Sequence, residues 1–121
     1  MQSDLRRIVA VEAHRRRSGR CPVRLHSLGT GETFEIKPAM DGFLDVASGM
    51  TVRMDGSQIL LPDGRGPIDL MLTGDVGFDG FDHESQEPFS GRAGGGASVT
   101  LYDRHRNDYF QYALVIEGDP L

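Results

Sequence analysis

The side chains with the most chemistry to offer fall in two short stretches, GDVGFDGFDHESQE (residues 74–87) and YDRHRND (residues 102–108). In the first, Asp75, Asp79, Asp82, Glu84 and Glu87 carry hard oxygen donors of the kind calcium accepts, with glycines between them that let a backbone fold round an ion. The spacing is not that of an EF-hand: counted from Asp75 the third position is Gly77, and counted from Asp79 it is Phe81, where an oxygen ligand is required. The second stretch adds Asp103, Asn107 and Asp108. A calcium-dependent ligand-binding module would draw on Asp75, Asp79, Asp82, Asp103, Asn107 and Asp108.

The same stretches hold two of the four histidines. His83 stands between Asp82 and Glu84, and His105 stands two residues from Asp103, so either has a carboxylate at hand to orient it as a general base in a small hydrolase or isomerase. A nucleophile does not accompany them: Ser90 and Ser98 are outside any GxSxG, and GRAGGG (residues 91–96) lacks the Lys-Ser/Thr ending of a phosphate-binding loop. His14, His26, His83 and His105 show no HxH or HExxH spacing, which argues against a structural zinc site. The single cysteine, Cys21, follows Arg20 and precedes Pro22, and reads as an ordinary thiol of a reducing compartment.

The aspartates and asparagine of YDRHRND, placed before the last strand-like segment, loosely resemble the calcium site of small bacterial galactose-binding lectins. The likeness covers fewer than twenty residues, has a shorter spacing between the first Asp and the Asn-Asp pair, and lacks the small residues that follow in those lectins. It implies a calcium-dependent carbohydrate-binding activity and no more.

Charge is split along the chain. Residues 1–24 hold seven arginines against Asp4 and Glu12, a net of +5, and residues 25–121 hold six Lys or Arg against sixteen acids, a net of −10, which together make the −5 of the whole. An acidic body repels phosphate backbones, so nucleic acid is not an expected partner. With 38% hydrophobic and 26% charged residues the composition is that of a soluble globular domain, and no apolar run approaches the roughly 18 residues a membrane span requires. The segment MQSDLRRIVAVEAHRRR has no long apolar centre or small-residue cleavage site, which predicts a cytoplasmic protein.

The elements that must position these side chains are of two kinds. Residues 1–20 predict one basic helix: Ser3 suits the cap, Asp4 the first turn, and Arg15, Arg16 and Arg17 the negative C-terminal end before Gly19, with Leu5, Ile8, Val9 and Ala13 on one face. From Pro22 the period becomes two. VRLHSL, ETFEIK, MTVRMD, SQILL, PIDLML, SVTLYD and YFQYALVI alternate apolar and polar residues, and Asp55-Gly56 makes a hairpin turn. Seven or eight short strands predict an all-β domain over 21–121, an antiparallel sandwich of jelly-roll type. Residues 74 to about 97 show no core pattern and read as a long loop, whose part 74–89 is acidic and aromatic.

These features together predict a non-catalytic protein that binds a protein partner, or itself, through that loop and the basic helix. Phe78, Phe81 and Phe89 are the expected apolar anchors and Arg15, Arg16 and Arg17 the expected basic contacts. No cofactor is expected apart from calcium.

Overall fold

In the computed structural model, which describes residues 1–94 and 96–117, the chain forms one helix followed by ten strands among the described residues. The helix α1 is Ser3–Ser18. The strands are β1 (Pro22–Ser27), β2 (Thr33–Ala39), β3 (Gly42–Asp45), β4 (Met50–Asp55), β5 (Gln58–Leu60), β6 (Ile68–Thr73), β7 (Gly77–Asp82), β8 (Glu87–Ala93), β9 (Ser98–Asp103) and β10 (Asp108–Ile116). Each strand pairs antiparallel with its neighbour in sequence, and β10 pairs back onto β1, with Leu25 opposite Leu114 and His26 opposite Ala113.

That last pairing closes the sheet into a ten-stranded barrel, and the expected jelly-roll sandwich of seven or eight strands is incorrect. The alternation of apolar and polar residues is the same for a strand in either architecture, so it does not by itself distinguish one sheet closed on itself from two sheets face to face. The expected long loop is also corrected. Residues 77–82 and 87–93 are paired strands, with Phe78 opposite Gly91 and Gly80 opposite Phe89. Their inward positions alternate Phe78, Gly80, Asp82 and Phe89, Gly91, Ala93, a mixture of aromatic, glycine and acid that conceals the period.

The inside of the barrel is occupied by α1. Every residue from Leu5 to His14 is buried, on all sides of the helix. Leu5, Ile8, Val9, Val11 and Ala13 belong to one hydrophobic cluster with Leu25, Phe43, Val52, Ile68, Phe89 and Leu101 from the surrounding strands. An eight-stranded barrel is just wide enough for its own side chains to fill. Ten strands enclose more, and a helix of 16 residues, about 24 Å long, is a suitable filling. A single apolar stripe of Leu5, Ile8, Val9 and Ala13 would have suited a helix lying on a surface; the unbroken run Ile8–Val11 suits one enclosed by a wall.

The helix ends follow elementary rules. Gly19 takes the left-handed conformation (φ 76°) and its N–H bonds the Arg15 carbonyl at 2.9 Å. At the other end Gln2 is the cap residue and supplies no side-chain bond, so Ser3 lies inside the helix. The Asp55-Gly56 hairpin forms as expected, with Asp55 opposite Gln58 and Gly56 at φ 61°.

Candidate functional site

Because successive turns alternate between the two mouths of an antiparallel barrel, the topology sorts the candidate residues by position. One mouth surrounds the helix N-terminus and carries the turns after β1, β3, β5, β7 and β9. The other surrounds the helix C-terminus and carries the turn between β6 and β7. Asp75 lies in that turn, while Asp103, Asn107 and Asp108 lie at the N-terminal mouth. Asp79 is exposed midway along the outer wall. The six expected calcium ligands are therefore spread over the molecule, and among the described residues no group of three or more His, Cys, Asp or Glu side chains is placed to hold a metal.

Asp82 and Asp103 have structural partners. Together with Asp45 they form a set: each is the last residue of its strand, each points inward, and each is buried. Each also accepts a backbone N–H from the turn that follows, Ser48 for Asp45 at 3.3 Å, Glu84 for Asp82 at 3.0 Å and Arg106 for Asp103 at 3.4 Å. The helix N-terminus, where the macrodipole is positive, faces this acidic ring. Arg7 forms a two-pronged bond to Asp45 (2.8 and 3.3 Å) and rests on the Phe34 ring, and Arg6 lies 3.6 Å from Asp103 and rests on the Phe110 ring. The Met1 ammonium is 2.8 Å from Glu87 and 3.2 Å from Asp103.

The expected basic contacts are engaged inside the protein. Arg15 and Arg16 each donate to the wholly buried Glu12 at 2.6 Å, and Arg16 also reaches the Leu70 carbonyl. Arg17 donates to three carbonyls of the C-terminal mouth, Ala93 at 2.7 Å, Gly74 at 2.9 Å and Gly77 at 2.8 Å. The triple arginine thus clamps the helix C-terminus to the ends of the strands. Of the expected anchors, Phe78 and Phe89 are only 1% exposed and meet edge to face inside the barrel, at 6.4 Å between ring centres. Phe81 points outward, half-buried, with its ring 5.0 Å from that of His83.

His83 has a different carboxylate partner from those next to it in sequence. Its Nε2 is 2.8 Å from Asp69 on β6, and Gln58 on β5 donates to the other oxygen of Asp69 at 2.8 Å. The Gln58 bond first, and His83 second, hold the Asp69 carboxyl below the usual carboxylate range. Ser85, the hydroxyl closest to His83 in sequence, donates to Asp82. His105 is exposed in the β9–β10 turn while Asp103 faces the lumen. The Cys21 thiol is half-buried; burial pushes its pKa up, against the pull of Arg15. The glycine-rich stretch 91–98 is partly strand β8, and Gly95 lies outside the described residues.

Sequence reasoning missed the outer wall. Along β6, β7 and β8 the outward row runs Asp69, Phe81, Pro88, and Met71 and Asp79 form the next row, with Met71 62% exposed. On β9 and β10 the outward residues Tyr102 and Tyr109 stand opposite each other, their ring centres 4.8 Å apart. Period-two counting through GFDGFD would have placed Phe81 outside and Phe78 inside once that segment was read as a strand. No protein-family model matches the chain, and no curated protein or solved structure matches it.

Proposed function

We propose that this is a non-catalytic interaction protein of the cytoplasm, which meets a protein partner on the outer wall of the barrel over β6, β7 and β8. The observation that carries this reading is the outward cluster in which Phe81 stands opposite Pro88 and Met71 lies in the next row, diagonal to Phe81, bordered by Asp69, Asp79 and His83. Protein interfaces combine a few large apolar anchors with a polar rim, and this wall has that composition. Two facts direct attention to the wall. The helix fills the lumen, and the arginines of the helix are bonded to Glu12 and to strand carbonyls.

The test is a photo-crosslinking residue placed at position 81, with a second at position 51 on the far side of the wall as control. The expected result is one discrete adduct from position 81, lost when Met71 is changed to Ser. A crosslink to a second copy of the chain would identify the partner as itself. Equal labelling from positions 81 and 51, or an adduct indifferent to Met71→Ser, would remove the wall from consideration. Both outward side chains lie off the core, so the unfolding midpoint of each variant should match that of the parent.

A further inference from the structure

A cleft of about 380 Å³ lies between the β1–β2 turn and the beginning of β10, lined chiefly by Ser27, Thr30, Asp108, Tyr109, Phe110 and Gln111. Its volume is within the range of about 300–1,000 Å³ typical of small-molecule sites. Tyr109, which forms one wall, is 67% exposed, and no core contact requires an aromatic ring there. Yet its orientation is supported. Tyr102 lies against it, and the Tyr102 hydroxyl donates to the side-chain oxygen of Asn107 at 2.5 Å. Asn107 itself has a left-handed backbone (φ 52°), a conformation that asparagine tolerates better than most residues. The Tyr109 N–H then bonds Asp108 Oδ1 at 2.8 Å, which orients that carboxylate.

We infer that this cleft binds one pyranose unit of a neutral saccharide without calcium. The chemistry of the lining selects that class. Ser27, Thr30 and Gln111 each offer both donors and acceptors, and Asp108 accepts only. A set of that kind matches a ligand with several hydroxyl groups, each of which donates and accepts. The flat face of Tyr109 suits the C–H face of a sugar ring, because an aromatic ring buries much apolar area while its edge stays hydrated. None of the residues lining this cleft is Lys or Arg and its one charged group is Asp108, so the lining itself offers a phosphate or carboxylate no cation. The site is distinct from the outer wall over β6–β8, and its success or failure is separate from that of the proposed partner surface.

The chain has three tyrosines and no tryptophan, and Tyr109 is the one that lines this cleft, so its share of the tyrosine emission reports on binding there. The experiment titrates the full chain, in EDTA, with glucose, galactose, mannose and N-acetylglucosamine, and with lactose and maltose. Binding is followed by tyrosine fluorescence and by saturation transfer to the sugar in NMR. The expected result is a saturable response to at least one of them with a Kd of millimolar order. It should weaken about tenfold or more in Tyr109→Ala, weaken less in Thr30→Val, and persist in Phe81→Ser. Tighter binding of a disaccharide than of its monosaccharide would assign the cleft to a glycan end, and the reverse to a free sugar. Absence of saturation with all six up to about 50 mM, or unchanged affinity in a folded Tyr109→Ala, would overturn the inference.

Discussion

Asp69 shows how a side chain acquires a role from the barrel that its sequence neighbours do not disclose. The expected orienting groups for His83 were Asp82 and Glu84, one and the other adjacent in the chain, yet in a strand adjacent residues point to opposite faces. Asp82 accordingly faces the lumen, and His83 turns outward to a carboxylate fourteen residues away. Register, not proximity in sequence, makes the pair. The Asp69 carboxyl is held low by Gln58 and His83, and a carboxylate depressed on folding stabilises the protein above its unfolded pKa of about 3.9 and loses that contribution as pH falls through the folded value. Asp69→Asn should therefore lower the melting temperature slightly at pH 5.5, with the difference from the parent shrinking as the pH is taken below the unfolded value of about 3.9 and through the folded one. The effect is small because both side chains are about one-third exposed and solvent screens the pair. Thermal unfolding at matched pH values measures it; a difference that persists unchanged on acidification would mean that the Asp69 charge is not what stabilises.

At the scale of elements, the hairpin β7–β8 is the least legible part of the sheet and the most constrained. Phe78 lies opposite Gly91 and Phe89 lies opposite Gly80, so each ring spreads over the glycine of the neighbouring strand. Glycine weakens a strand in isolation and so reads as loop, but here it makes room for the aromatic across from it. A Cβ at Gly80 would overlap the Phe89 ring and the Asp69 carbonyl, and one at Gly91 would overlap the Phe78 ring and the Thr100 carbonyl. Gly80→Ala should accordingly cost about 1–3 kcal/mol, the usual range for overpacking a tight core, read as a lower denaturant midpoint with an unchanged slope. Fluorescence-monitored urea unfolding decides it, and a midpoint within error of the parent would show that the rings can move aside freely. Strands with ordinary alternation, such as MTVRMD and SVTLYD, were recognisable because their inward residues are apolar, apart from Asp103 at the end of the second. The turns of the acidic ring carry a signal too: Asp45, Asp82 and Asp103 are each followed by a short turn whose backbone they bond, the usual role of aspartate at such corners.

For the whole molecule, what the sequence withheld was closure. β1 and β10 are separated by most of the chain, and nothing local in PVRLHS or DYFQYALVI announces that they pair. The fate of the helix follows from that pairing, because only a closed wall can bury Leu5–His14 on every side. The run Ile8–Val11 was a legible hint, as was Glu12 within helical reach of both Arg15 and Arg16, which lets the helix carry a charge indoors with its own counterions. A barrel filled by its own N-terminal segment should depend on that segment. Leu5, Ile8, Val9 and Val11 are buried nearly completely, together about 6–12 kcal/mol of transfer free energy, comparable with the whole net stability of an ordinary domain at about 5–15 kcal/mol. Deleting residues 1–18 also strips Arg7 from Asp45 and Arg17 from the three carbonyls of the C-terminal mouth. Residues 19–121 alone should then lose the cooperative unfolding transition and the near-ultraviolet signature of fixed tyrosines. A peptide of residues 1–18 added in trans should restore both, to an extent that rises with its concentration as mass action requires. If the truncated chain instead unfolds cooperatively at the parent's denaturant midpoint, the ten strands can close without the helix, and the helix is a passenger in the barrel instead of its core.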